Sequence, residues 1–155
     1  MDAKYINPFV LALVNAMETM MGVSPERGTP YLKREGNTQG DVSAIIGFAG
    51  PSVTGSVTLS LPTPVALKFY CLMVGERVFR ITGDVQDVVG ELANIVAGGA
   101  KAELSKENIT FNISIPTVVV GHGHSIGHRG DIPVMVIPFE VGKHRFVMEV
   151  TMKLE

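Results

Sequence analysis

Hydrophobic residues in the segment from Asp84 to Lys106 recur at steps of three and four positions. This spacing is typical of an α-helix with one buried face, because side chains three and four residues apart lie on the same side. The predicted buried stripe consists of Val85, Val88, Val89, Leu92, Ile95 and Val96. Asp84 is the predicted N-cap, and Asp87, three residues on, occupies the position of a capping-box acid. We therefore predict a long amphipathic helix as the central element of the chain.

A polar stripe follows the same predicted helix beside the buried one. Asp87, Glu91 and Asn94 are separated by steps of four and three residues, and Gly98 and Lys101 continue the line. Glu91 and Asn94 stand one turn apart, so both side chains can reach a single group on a partner. A glycine in a helix interior costs about 0.5–1 kcal/mol relative to alanine, which is tolerable where a flat surface allows a close approach. On spacing alone, a solvated helix face is the more ordinary explanation of the Glu91–Asn94 pair.

Periodicity and turn residues predict the other elements of the chain. An apolar helical pattern ends at Gly22, and it begins either at Asn7 with Pro8 in the first turn or at Asp2 with Pro8 inside the helix. A shorter helix is predicted over Pro62–Val74. The predicted strands are Tyr31–Arg34, Val42–Phe48, Ser56–Leu61, Phe111–Gly121 with an interruption at Pro116, and the hairpin Pro133–Glu140 with His144–Met152. This order predicts one α+β domain over residues 1–155, in two layers, with two long helices on one face of an antiparallel sheet.

Composition narrows the class of protein. Hydrophobic residues make up 46% of the chain and charged residues 18%, which predicts a folded rather than a disordered protein. The net charge of −2 provides no basic surface, so nucleic acid and anionic membranes are not expected partners. The apolar run near the N-terminus lacks a basic flank and a cleavage site, and the single Cys71 is typical of a small core residue in a reducing compartment. We therefore expect a cytoplasmic protein.

Three histidines cluster in one glycine-rich stretch. His122 and His124 are two residues apart and would share one strand face, and His128 follows them. Histidines at such spacing are candidate zinc ligands. Because no cysteine or compact set of carboxylates completes the group, we expect no native metal site there.

The order of Asp87, Glu91 and Asn94, followed beyond a further strand by Pro116 in IPTVVVG and preceded by a helix that opens MDA, resembles a known family. This is the CheC/CheX/FliY family of bacterial chemotaxis phosphatases, and its CheX branch in particular. The resemblance implies a CheC-like fold and a phosphatase that hydrolyses the aspartyl phosphate of the response regulator CheY or a related regulator. It also implies a homodimer formed through sheet strands. The terminal hairpin, with few edge-blocking charges, is the strand pair that we expect to provide the dimer edge.

The resemblance assigns a role to each residue of the polar stripe. Asn94 would direct water at phosphorus, which suits an amide that can donate and accept hydrogen bonds, and Glu91 would ion-pair with a lysine of the regulator. Asp87 would brace the helix, Gly98 would keep the surface low, and Lys101 extends the polar line. No cofactor of its own is implied, since Mg²⁺ arrives with the phosphorylated regulator. Two alternatives remain open, a non-catalytic module that binds a response regulator and a structural part of a signalling assembly.

Overall fold

The computed structural model describes residues 2–34, 39–128, 130 and 132–155. Its elements in chain order are α1 (Ala3–Met21), β1 (Glu26–Arg27), β2 (Tyr31–Leu32), β3 (Gly40–Ala49), β4 (Val53–Leu61), α2 (Thr63–Val74), α3 (Gly83–Ser105), β5 (Asn112–Ile113), β6 (Thr117–His124), β7 (Val134–Val141) and β8 (His144–Leu154). All helices and the longer strands agree with the sequence-based expectation to within a few residues, and β1 was not expected. None of the helices in this described part of the chain is long and apolar enough to cross a membrane.

The strands form one antiparallel sheet in the order β1-β7-β8-β4-β3-β5, with β2 also paired to β7 and β6 also paired to β3. The terminal hairpin β7–β8 turns at Gly142, which has a positive φ of 59°. It does not provide a free edge, because β8 lies between β7 and β4 while β1 and β2 cover the outer side of β7. The expectation that this hairpin supplies a dimer edge is therefore wrong. The long strand at the opposite edge is β6.

All three helices lie on one face of the sheet, which confirms the predicted α+β class. The residues of β3 that point toward the helices are Val42, Ala44, Ile46 and Phe48, and all are buried. Phe9 of α1 stacks on Phe48 at 5.7 Å between ring centroids, and Phe69 of α2 meets Phe146 of β8 edge-on at 5.2 Å. Each large apolar side chain buried in this layer contributes about 1.5–3 kcal/mol. The apolar contacts thus fix the helix layer on the sheet.

Helix α3 buries more small residues than the periodicity predicted. Val88 and Ile95 are only half-buried. The buried residues of the helix are Val85, Val89, Gly90, Leu92, Ala93, Val96, Ala97, Ala100 and Leu104. Small residues on a packed helix face let neighbouring backbones approach closely. The true buried face is therefore wider than the aliphatic stripe that the sequence shows.

The structure shows where helices α3 and α1 begin. The N-cap of α3 is Thr82, whose hydroxyl oxygen accepts a hydrogen bond from Val85 N at 3.2 Å. Asp84 therefore lies inside the first turn and Asp87 one turn further, so neither occupies its predicted capping position. Helix α1 begins after Asp2, whose carboxylate accepts from the backbone N–H of Lys4 at 3.0 Å. Pro8 lies inside this helix, as in the second of the two predicted alternatives.

Candidate active site

The polar stripe of α3 is present on the side of the helix that faces away from the core. Asp87 and Glu91 are exposed, and Asn94, Gly98 and Lys101 are half-buried. Among the described residues, the side chains of Glu91 and Asn94 have no hydrogen-bond or ion-pair partner. The sequence thus placed all five residues on one accessible face, and their hydrogen-bonding groups are available to a partner.

Other segments of the chain pack along both sides of the polar stripe. On one side α1 packs against α3, and a Cβ placed on Gly99 would lie 2.9 Å from Cβ of Ala12. On the other side the chain between β5 and β6 crosses the helix, where a Cβ placed on Gly90 would lie 3.5 Å from Cγ of Pro116 and 3.4 Å from Cγ2 of Val118. Gly99 therefore permits the close contact with α1, whereas a Cβ at Gly90 would make ordinary van der Waals contacts with Pro116 and Val118.

The adjacent glycines of α3 have different surroundings. A Cβ on Gly98 would meet no atom within 4 Å, whereas a Cβ on Gly99 would press on α1. The sequence suggested a flat surface for a close approach as the purpose of Gly98. The structure separates the two glycines, because Gly99 serves helix packing and Gly98 lies on the open stripe.

The stripe offers hydrogen-bonding groups rather than a reactive nucleophile. An asparagine amide both donates and accepts hydrogen bonds, so Asn94 can fix the direction of a bound water molecule. The carboxylate of Glu91, one turn away, accepts hydrogen bonds from a cation such as a lysine ammonium. These two side chains can therefore orient water and dock a charged partner, and the partner must supply the reacting group.

The three histidines do not converge on one point. Gly123 has a positive φ of 65°, which breaks the strand alternation between His122 and His124. His122 Nδ1 lies 3.1 Å from Asp41 Oδ1, while Nε2 of His124 lies 2.7 Å from Oγ of Ser43. His128 Nε2 lies 3.0 Å from a carboxylate oxygen of Glu149. His122 and His124 therefore contact different residues of β3, and the described residues contain no group of three metal-ligating side chains.

Asp41 is a structurally important residue that sequence reasoning missed. Its carboxylate accepts hydrogen bonds from Gly123 N at 2.9 Å and from Thr63 N and Oγ1 at 2.7 and 2.8 Å. The bond from Gly123, with those from Thr63 and the nearby His122, lowers the pKa of Asp41 to about 2. Asp41 therefore ties strands β3 and β6 to the start of α2. Its partners are 22 and 82 residues away, so no local signal identified it.

A second unpredicted cluster lies on the sheet face opposite the helices. The carboxylate of Glu149 in β8 is only 1% exposed and lies 3.0 Å from both Lys33 Nζ and His128 Nε2. Lys33 Nζ also donates to the carbonyl oxygen of Ile126. The one sequence signal was a glutamate inside the alternating segment FVMEVTM. Cys71, expected in the core, is half-buried and free.

The two-layer α+β fold, with Glu91 and Asn94 on the outer side of its long central helix, is the arrangement that the resemblance to the CheC/CheX/FliY family led us to expect. Residues 42–140 match the sequence model of the family described as chemotaxis phosphatase CheX. The chain belongs to this family, which confirms the resemblance read from the sequence.

Individual relatives agree with the family assignment. A "CheY-P phosphatase CheX" from Thermotoga maritima is 26% identical over 133 residues, which cover 85% of each chain. A CheC-like superfamily protein from Shewanella sp. PV-4 has a crystal structure that superposes with a TM-score of 0.94, at 35% identity and 99% coverage of both chains. A CheX–CheY–BeF3–Mg²⁺ complex from Borrelia burgdorferi matches with a TM-score of 0.77, at 27% identity and 97% coverage of both chains.

Proposed function

We propose that this chain, acting as one domain over residues 1–155, is a phosphatase for the aspartyl phosphate of CheY or a related response regulator. The observation that carries the proposal is the accessible Glu91–Asn94 pair, which occupies one turn of α3 in a chain of the CheX family. The relative from Thermotoga maritima is named a CheY-P phosphatase, and the Borrelia burgdorferi structure is a complex with CheY.

Asn94 acts by orienting water. Its amide holds a water molecule in line with the bond between phosphorus and the aspartyl oxygen of the regulator. The water oxygen forms a bond to phosphorus while the bond between phosphorus and the aspartyl oxygen breaks. The regulator regains its free carboxylate, and inorganic phosphate leaves with the protons of the water or passes one of them to solvent. Phosphoryl transfer through a loose transition state depends mainly on such positioning and on charge stabilisation.

Glu91 docks the regulator through an ion pair with the lysine of its phosphorylation site. The stripe around this pair supports docking, because Asp87 and Lys101 extend the polar surface and Gly98 adds no side chain to it. Mg²⁺ is supplied by the regulator and neutralises phosphate charge there, as the Mg²⁺ and CheY of the Borrelia burgdorferi complex suggest. The chain then needs no cofactor of its own.

The test is the decay of a phosphorylated regulator with wild-type protein and with Asn94→Ala. We expect the variant to lose acceleration by about 10²–10³-fold, the usual effect of removing one hydrogen-bonding group that acts in a transition state. Affinity for a beryllofluoride-loaded regulator should be retained. Asn15→Ala is the matched control, since Asn15 is an exposed asparagine on α1.

Two results would contradict the catalytic proposal. Full acceleration by Asn94→Ala would remove Asn94 from the mechanism. If wild type binds its regulator tightly but accelerates phosphate loss from none of the organism's regulators, the result would favour a non-catalytic binding module. The assay and the binding measurement together separate these results.

We also propose that the protein is a homodimer that associates through the sheet edge formed by β6. Within the described residues this strand pairs with β3 alone, and Val120 in it is 46% exposed. An unpaired strand edge is a template for pairing with a second chain. Light scattering at micromolar concentration should detect a dimer that Val120→Lys weakens, and a wild-type monomer would contradict the proposal.

A further inference from the structure

Ile115 is a large apolar side chain that is 84% exposed although the backbone on both sides of it is anchored. Before it, the N–H of Ser114 donates to Gly47 O at 2.8 Å, and Oγ of Ser114 accepts from Gly47 N at 3.0 Å. The same hydroxyl donates to the carbonyl oxygen of Ile115 at 3.0 Å. After it, Pro116 lies against Gly90 of α3. The isoleucine is thus held in place by its neighbours.

The proline that follows Ile115 lies beside the candidate active site. Gly90, on which Pro116 rests, directly precedes Glu91 in α3. At 100° per residue Gly90 points within about 40° of Asn94 around the helix, and Asn94 lies one turn, about 6 Å, further along the axis. Pro116 therefore borders the Asn94 side of the polar stripe, and Ile115 stands next in the chain.

Binding costs little conformational entropy when the partner covers an apolar side chain that is already held in place. An ordinary exposed side chain loses conformational freedom on binding, whereas one whose backbone is already restrained loses less. Proline also restricts the residue before it to extended conformations. Apolar residues that serve as anchors in interfaces combine such order with access to the partner.

We propose that Ile115 is an apolar docking residue for the phosphorylated regulator and packs on the apolar surface that borders the regulator's phosphorylation pocket. This inference rests on the proposed function, because continuity with the Glu91–Asn94 stripe identifies the occupant. A second copy of the chain is the less suitable occupant at this point. Pro116 has no N–H for a strand ladder, so strand pairing cannot extend through this stretch.

The test compares Ile115→Ser with Leu32→Ser. Leu32 is a matched control, since it is 56% exposed and lies in β2 at the other edge of the sheet. The readouts are KM and kcat for phosphate loss, Kd for a beryllofluoride-loaded regulator, and molecular mass by light scattering. For Ile115→Ser we expect KM and Kd to rise by about tenfold, as for the loss of one buried apolar side chain, with kcat within about twofold. Ile115→Leu should restore both constants, and Leu32→Ser should change neither.

The binding readout separates this inference from the proposed function. If wild type binds the regulator without accelerating phosphate loss, catalysis by this chain is refuted, and a raised Kd for Ile115→Ser still supports the docking role. A Kd for Ile115→Ser equal to wild type overturns the docking role. So does dissociation of a dimer in Ile115→Ser with unchanged Kd, which would assign the residue to contact between copies. Failure of wild type to bind any regulator overturns both proposals.

Discussion

The two faces of the sheet bury their residues by different means. The face under the helices is apolar, with side chains such as Ile46, Leu59 and Met148 fully buried. The opposite face buries polar groups, among them Ser43 and Glu149. Buried apolar groups need only close packing, whereas each buried polar group needs a partner to offset its lost hydration. The contrast teaches that apolar packing holds the helix layer, whereas hydrogen bonds and ion pairs such as those of Ser43 and Glu149 hold part of the opposite face.

The same contrast separates stability from function. The Glu91–Asn94 pair lies on the outer side of the helix layer and forms no bond with other described residues. On the opposite face, Glu149 is held by Lys33 and His128, and residues 126–128 lie over that face. Substitutions in the stripe of α3 should therefore change activity with little effect on folding. Substitutions on the polar face should do the reverse.

The largest expected effect on stability is that of Lys33→Met. This variant leaves the carboxylate of Glu149, 1% exposed, without its lysine partner. Breaking a buried ion pair by removing one member typically costs about 3–5 kcal/mol. We expect a loss near the lower value in urea unfolding, since Lys33 retains 11% exposure, with kcat per folded molecule unchanged.

Lys106→Met is the matched control for this experiment. Lys106 pairs with Glu103 at the same 3.0 Å, but the two side chains are 69% and 39% exposed. Exposed pairs contribute at most about 1 kcal/mol. Equal stability of wild type and Lys33→Met would show that the polar face does not depend on this ion pair, and the comparison between the faces would fail.

The next effect in size is that of Glu91→Ala, which tests the other half of the comparison. Truncating one member of a charge pair that is desolvated on binding costs about 2–5 kcal/mol, and we expect about 2 kcal/mol in affinity for the beryllofluoride-loaded regulator. The thermal midpoint should not move, because Glu91 is exposed in the free protein. Glu107→Ala, also exposed but beyond the end of α3, should bind normally. A fall in stability without loss of affinity would make Glu91 a structural residue.

The range of each interaction along the chain explains what could be predicted. The polar stripe of α3 was predicted residue by residue, because side chains within one helix are placed by local periodicity. The contacts of Asp41 with Gly123 and of Lys33 with Glu149 span 82 and 116 residues, and no local pattern encodes them. The cap at Thr82 was missed because Asp84 is an equally good capping type two residues later.

The prediction of where the terminal hairpin lies in the sheet failed for a related reason. Its two strands alternate clearly, so β7 and β8 were predicted, but alternation does not reveal which strands flank them. The pairing of β8 with β4 and of β7 with β1 and β2 is set by the whole sheet. Short strands such as β1, of two residues, carry no periodic signal. The fold class could thus be predicted, while the free edge could not.

A smaller effect is expected for Asp41→Asn, and it depends on pH. The pKa of Asp41 is lowered from 3.8 to about 2 in the folded protein. A lowered folded-state pKa contributes stability above the unfolded-state pKa, and this contribution is lost as pH falls from about 4 to about 2. We expect Asp41→Asn to be less stable than wild type by about 1–2 kcal/mol at pH 7, as for hydrogen bonds to a charged acceptor. As the pH falls through that acid range, the variant should lose less stability than wild type does.

Urea unfolding at pH 7, 4, 3 and 2.5 measures this difference. Glu107→Gln serves as the control, because Glu107 is exposed after the end of α3. Parallel pH dependence in wild type and Asp41→Asn would show that the carboxylate of Asp41 does not connect β6 to α2 through its charge.

The smallest expected effect, for Gly98→Ala, separates stability from docking on a single helix. A Cβ at Gly98 meets nothing within 4 Å, so alanine should stabilise α3 by about 0.5–1 kcal/mol through its better helix propensity. Gly99→Ala is the matched comparison and should destabilise, because its Cβ would lie 2.9 Å from that of Ala12 and force α1 to move. If the low surface at Gly98 is needed by the regulator, the more stable Gly98→Ala protein should bind the beryllofluoride-loaded form less tightly. Urea unfolding and the binding isotherm measure the two effects separately. Unchanged affinity in a stabilised Gly98→Ala would remove this glycine from the docking surface and leave Glu91 and Asn94 as the residues that define it.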